Sequence, residues 1–418
     1  MHNLHNGNKI SFSEAKQRAV EMTLGRETRS NSDLELIGIL SKQDVCKVDC
    51  DTLFPDTLAY IFESNGHQVV MSADNRIHQS LLADYNYVSN SLHTTNNIIE
   101  NIISVGLANY ITNEIIDYEN RKDSILSELQ MKLNDMVLKI NTKQTRIEAP
   151  KDYDLNEEFH INEYPIDNWH FITHISPMIY VEWGQDSPYN DSIANILNCG
   201  TVLTGCVPVA VAQLMSYWEH PTSLENWYID WNSLKSRISI SDWCSSTLKQ
   251  EVAKLMKEIC FGCQTQFDCD GSSTATTSTK AWLRSIGYTV EDEFSYNSSS
   301  VVSSILNSRP VLILGWNNNY EGHAWDIDGY ILEGRTYQRD LYVFDRDLNH
   351  WVLIESGTYL KRASYFHYNW GWKGLYNGWF SVGCFDYTEE ATMNTRSSSP
   401  DSFSNDVKII TNIRPNNE

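Results

Sequence analysis

Read for the spacing of apolar and polar positions, the chain divides into two stretches of different texture. In the first, about 145 residues long, Ser11 and Glu14 form the pattern of a capping box, which predicts a short helix through Met22. Thr57–Phe62 and His67–Met71 are strand-like runs on either side of Asn65-Gly66, so a hairpin with an Asn-Gly turn is predicted. From Asn97 to about Ile140 the spacing is helical. Leu126, Leu129, Leu133 and Val137 share one face, and Lys122 and Asp123 belong to the solvated one. The polar run Asn141–Asp154, with Pro150 inside it, reads as a linker. The expected domains are therefore residues 1–145 and 146–418.

Beyond the linker the apolar runs shorten, and Gly and aromatic residues become frequent. Val207–Trp218 is predicted as a helix, with Val207, Val211, Leu214 and Trp218 on one side and Pro221 just beyond its end. Strand-like runs follow at Pro310–Leu314, His323–Ile327, Leu341–Phe344, Trp351–Ile354 and Ala363–Tyr368. A helix followed by many strands points to an α+β domain.

Composition narrows the function classes. With 41% apolar and 21% charged residues over 418 positions, the chain is an ordinary globular one of two or three domains, or one large domain with an appendage. The balance of 32 Lys+Arg against 54 Asp+Glu gives a net charge of −22. That argues against binding of phosphate backbones, so no nucleic-acid partner is expected. No apolar run is long enough to span a membrane. The start, MHNLHNGNKISFSEA, has no basic stretch followed by an apolar one, so the chain is cytosolic or its signal has been removed. Nine cysteines is an odd number, which in an oxidising compartment leaves one thiol over or pairs it between chains.

Four segments could carry chemistry. In Thr204–Trp218, Cys206 follows Gly205 at the head of an apolar helix, where free N–H groups and the helix dipole favour a thiolate. A buried structural Cys is the alternative. In Glu321–Tyr330, His323 opens a strand whose alternation sets His323, Trp325 and Ile327 on one face and Asp326 and Asp328 on the other. Neither Asp is then placed to orient His323 unless a bulge intervenes. In Phe366–Phe380, Asn369 precedes Trp-Gly-Trp. Its carbonyl could accept from an imidazole N–H, with Trp370 and Trp372 keeping water away. In Val181–Asn190, Gln185 sits in a Gly- and Pro-flanked loop and could donate to an oxyanion. Each also has a plain structural reading, as a strand-end histidine, an aromatic core corner or a loop glutamine.

The stretches WGQDSPYN, TGCVPVAVAQLMSYW, GHAWDIDGY and FHYNWGWKGLYNGWF, in this order and spacing, resemble the signature blocks of the streptopain family of secreted bacterial cysteine peptidases. HQVVMSADNR and ISFSEAKQRA resemble that family's pro-segment more weakly. The resemblance implies a papain-like α+β fold: a helical sub-domain carrying the Cys and an antiparallel β sub-domain carrying the His, preceded by an α+β pro-domain over residues 1–145. It implies a secreted cysteine endopeptidase made as a zymogen, acting on proteins or peptides, inhibited intramolecularly by its pro-segment and needing no cofactor or metal. Cys206 would be the nucleophile and His323 the general acid/base. Gln185, with the Cys206 N–H, would form the oxyanion hole. Trp370 would lie beside His323, with either Asn369 or Trp370 orienting the imidazole. Where members often have WGWGG, this chain has Lys373, expected to alter substrate preference rather than chemistry.

Cleavage is expected between about Ile140 and Tyr164, because exposed polar linkers are where nicking concentrates. Cys46 and Cys50 could pair. Cys260, Cys263 and Cys269, with Cys244 upstream, suit disulfides or packing better than zinc. Two rival readings share the same blocks. One is a thiol amidohydrolase or acyltransferase acting on cell-wall peptides; the other is a non-catalytic secreted binding protein on the same fold.

Overall fold

The structure is a computed structural model. It describes residues 9–21, 34–42, 53–77, 79–87, 103–104, 106–121, 124, 127, 131, 159–198, 202–224, 226–241, 243–269, 271–316, 322–345, 350–385 and 405–418. The linker Asn141–Asp154, Cys46 and Cys50, Lys122 and Asp123, and the helix face of Leu126, Leu129, Leu133 and Val137 lie outside these residues.

In the N-terminal stretch, α1 (Phe12–Glu21) starts where its cap predicts, with the Glu14 N–H donating to Ser11 Oγ at 3.3 Å. Strands β1 (Glu35–Ser41), β2 (Thr57–Ser64), β3 (His67–Ser72) and β4 (Leu81–Asn86) form an antiparallel meander. The predicted hairpin is β2–β3. Asn65 and Gly66 have φ of 52° and 76°, as a two-residue turn between twisted strands requires. Helix α2, described over 106–121 with helical positions at 103, 104, 124, 127 and 131, lies within the predicted helical stretch. Its Ile103, Leu107, Ile111 and Ile115 recur every fourth residue and are buried.

The remainder contributes β5 (Phe159–Pro165), β6 (His170–Ile175), α3 (Cys206–Trp218), β7 (Val311–Trp316), β8 (Gly322–Asp345), β9 (His350–Asn369), β10 (Gly378–Ser381) and β11 (Asn405–Ile410). Three further helices, Ser246–Gly262, Thr276–Ser285 and Ser298–Leu306, form where no element was predicted. The first is amphipathic, burying Leu248, Val252, Leu255, Met256 and Ile259. The strands expected at His323–Ile327 and Leu341–Phe344 are the two ends of β8, and those at Trp351–Ile354 and Ala363–Tyr368 belong to β9. These long strands form a hairpin whose middle is polar. Glu355–Thr358 is exposed there, so apolar alternation fades although the ladder continues from Arg335↔Lys361 to Arg339↔Gly357.

Among the described residues one sheet runs through both stretches, in the order β1-β2-β3-β4-β10-β9-β8-β7-β11, with the short strand Phe294–Ser295 paired beyond β11 and with β5 and β6 also paired to β8. The seam is β4–β10, where Gly378 faces Tyr85, Trp379 faces Asp84 and Phe380 faces Ala83. On one side of the sheet, Val70, Leu82 and Ile111 share a core with Trp325, Trp370 and Phe380. On the other, Val69, Met71 and Leu81 pack with Ile331, Tyr365 and Trp379. A separate core joins Val211, Leu214 and Met215 of α3 to Leu255, Met256, Leu312 and Ala324. The expected α+β class is the observed one, with the Cys206 helix packed on the antiparallel sheet that carries His323.

Candidate active site

Cys206 is the first residue of α3. Gly205, before it, has φ of 88°, and a Cβ there would stand 3.0 Å from the Ser272 carbonyl oxygen. Only glycine enters the helix this way without strain. The N–H groups of a first helical turn have no partner within the helix. Burial pushes the Cys206 thiol up, and the nearby backbone N–H groups of Ala324, Val207 and Cys206 itself pull the other way. Because Ala324 follows His323 on β8, the sulfur lies at the start of that strand.

His323 is buried, with Nε2 3.0 Å from the Trp370 carbonyl oxygen. A carbonyl only accepts, so Nε2 carries the proton and Nδ1 is the basic nitrogen. The ring stacks on Trp372 at 4.5 Å and on Trp325 at 5.8 Å. Burial lowers His323 to about 4, against the opposing pull of the Trp370 carbonyl. Both shifts favour an uncharged thiol and imidazole in this state.

The Asn369 carboxamide donates to the Val181 carbonyl at 2.9 Å and accepts from the Gly371 N–H at 3.3 Å. It braces the turn, while the carbonyl of the next residue, Trp370, meets the imidazole. The Trp370 indole is packed by Trp325 at 4.9 Å, Trp372 at 5.2 Å and Phe385 at 5.2 Å. Asp326 and Asp328 turn to other partners, with a bulge between Ile327 and Gly329. Asp326 accepts from Gln213 at 3.2 Å. Asp328 accepts from the Ile179 N–H at 2.8 Å and lies 2.6 Å from His367 Nδ1.

Gln185 is half-buried, and its carboxamide makes no hydrogen bond among the described residues. Its backbone carbonyl accepts from the Thr204 N–H at 3.1 Å, close before Cys206. Lys373 joins this loop to the Trp370 turn. Its Nζ lies 2.8 Å from Asp186 and 2.8 Å from the Ser187 carbonyl oxygen, and its N–H donates to Trp183 at 3.0 Å.

Sequence reasoning missed two buried amides. Gln213 on α3 accepts from the Trp183 N–H at 2.9 Å, and Asn377 accepts from the Trp370 N–H at 2.9 Å. Gln213 left a signal, since a lone amide in the apolar run VPVAVAQLM needs a buried partner. Asn377 did not, because Asn-Gly reads as a turn. Elsewhere, Cys269 is disulfide-bonded. Cys260 and Cys263 are buried thiols that desolvation pushes up to about 12. Among the described residues no group of three His, Cys, Asp or Glu side chains could hold a metal ion.

Residues 183–380 match the Peptidase C10 family. The thiol protease/hemagglutinin PrtT of Porphyromonas gingivalis is 21% identical over 262 residues, which is 56% of this chain and 26% of PrtT. The chain thus spans 26% of the length of that curated relative. Among solved structures, a Cys-to-Ala fragment of prointerpain A from Prevotella intermedia aligns with a TM-score of 0.47 and 17% identity, covering 85% of this chain and 95% of the fragment. Active interpain A from the same organism aligns with a TM-score of 0.42 and 19% identity, covering 58% and 96% respectively.

Proposed function

We propose that this chain is a secreted cysteine endopeptidase made as a zymogen, with residues 1–145 as an inhibitory pro-segment and 146–418 as the peptidase domain. The observation that carries the reading is the meeting of α3 with β8. The Cys206 sulfur lies by the backbone of Ala324, and the adjacent His323 is held on the Trp370 carbonyl through Nε2, which makes Nδ1 its basic nitrogen. The family match over residues 183–380 supports the same chemistry.

In the proposed mechanism Cys206 gives its proton to His323 Nδ1, and the thiolate attacks a peptide carbonyl. The oxyanion is held by the Cys206 N–H and the Gln185 carboxamide, which has no other bond among the described residues. The imidazolium, steadied by the Trp370 carbonyl, protonates the leaving amine. His323 then takes a proton from water, which hydrolyses the thioester and restores the thiol. The uncharged Cys–His pair favoured by burial suits a resting zymogen. The disulfide at Cys269 fits an oxidising compartment and so supports secretion. β5 is paired along β8 from Phe159 onward, which supports a cleavage in the part of the Ile140–Tyr164 window that precedes this strand.

The test is an intact-mass time course of the full chain beside its Cys206→Ala variant, with casein as substrate. The wild type is expected to lose a fragment of about 15 kDa, the size of the pro-segment, and then to hydrolyse casein, while the variant stays whole and inert. Casein hydrolysis by Cys206→Ala at the wild-type rate would overturn the reading. So would a wild-type chain that remains inert after a protease has nicked the linker.

A further inference from the structure

The group that holds His323 is a peptide carbonyl, and a carbonyl is only as fixed as its peptide plane. The N–H of Trp370 donates to Asn377 Oδ1 at 2.9 Å. Asn377 is 2% exposed, and its own backbone is pinned: its N–H donates to the Gly374 carbonyl at 3.2 Å, and its carbonyl accepts from the Asn86 N–H at 2.9 Å. The other end of its carboxamide lies toward the carboxylate of Glu182, which His367 also faces. One buried amide therefore stands between the Trp370 peptide and a carboxylate behind the turn.

We infer that Asn377 is a positioning residue for His323: its Oδ1 holds the Trp370 peptide plane, which aims His323 Nε2–H and so sets where Nδ1 meets Cys206. The inference rests on the Cys206–His323 reading proposed above. The titratable groups around it are Glu182, His367 and Asp328 behind the turn, and His323 and Cys206 in front.

The test uses the full-length chain. Asn377→Leu removes the acceptor. Asn377→Asp keeps it but sets a second carboxylate against Glu182. Adding Glu182→Gln to Asn377→Asp restores one amide and one acid with their places exchanged. Two readouts are followed: kcat and KM on a peptide substrate, and the pH profile of Cys206 alkylation by iodoacetamide, read by peptide mass. The profile reports thiolate formation without turnover.

A shift of the ring by about 1 Å costs on the order of 100-fold in rate. Asn377→Leu is therefore expected to lower kcat by about 100-fold with little change in KM, and to move the alkylation profile to that of His323→Ala. The exchanged pair should return both readouts to near wild type. A folded Asn377→Leu variant with wild-type kcat and profile would overturn the inference. If Asn377→Leu does not fold, an exchanged pair no better than Asn377→Asp alone overturns it. Turnover that survives Cys206→Ala would instead sink the peptidase reading, while the alkylation profiles would still report on Asn377.

Discussion

Gly378→Ala tests the seam between the two stretches of the chain. Gly378 lies on β10 opposite Tyr85 of β4. A Cβ at this position would stand 2.4 Å from the Asp84 carbonyl oxygen, 2.4 Å from Tyr85 Cα and 2.7 Å from Tyr85 Cβ. The two nearest atoms are backbone, so no rotamer change relieves the clash and β4 has to move away from β10. Overpacking of this kind costs about 1–3 kcal/mol. Parting the strands also weakens the short ladder from Gly378 to Phe380, at about 1 kcal/mol per hydrogen bond. Together these give roughly 2–4 kcal/mol, or about 30- to 1000-fold in the opening equilibrium of the seam. Amide hydrogen exchange read by mass spectrometry should show faster exchange at residues 81–86, with the helix Cys206–Trp218 unaffected, since it packs in a separate core. If the proposed zymogen reading holds, the variant should also release its N-terminal fragment sooner. Wild-type protection at 81–86 in a folded variant would refute the reasoning, because it would mean that the strands separate at no cost.

Three further outcomes are expected. Gln185→Ala should lower turnover about 100-fold, the usual effect of losing one oxyanion donor, with an unchanged melting temperature because the carboxamide bonds nothing among the described residues; near-normal turnover would remove Gln185 from the mechanism. Glu333 is buried, its Oε2 has no partner among the described residues, and desolvation raises it to about 7 from 4.5. The folded state then holds its proton to higher pH than the unfolded chain, so the penalty is absent below pH 4.5 and complete above 7. Glu333→Gln should raise stability by about 3 kcal/mol at pH 8 and leave it unchanged at pH 4, read by calorimetry. His323, lowered to about 4 from 6.5, has the opposite sign: its contribution is whole above pH 6.5 and is lost as pH falls toward 4. Over that window the wild type should lose about 3 kcal/mol more than His323→Gln, and parallel urea-melt stabilities would contradict it.

The local elements were legible because local physics decides them. Ser11 caps α1, Asn65-Gly66 turns β2 into β3, and Gly205 followed by an apolar run starts α3 at Cys206. The α+β class, and the Cys, His, Gln and Trp segments that could carry chemistry, were read from the same kind of pattern. The seam between β4 and β10 was not, because pairing between Tyr85 and Gly378 leaves no periodic trace in either segment. The β8–β9 hairpin was broken into pieces because its polar middle satisfies the ladder through backbone bonds that carry no side-chain signature. Whether Asn369 or Trp370 faces His323 could not be read either, since the group that meets the ring is a backbone carbonyl and every residue has one. The residue types and their order were written in the chain. The aim of each hydrogen bond, and the buried amides Gln213 and Asn377 that hold the Trp183 and Trp370 peptides in place, exist only once distant segments pack and desolvate one another.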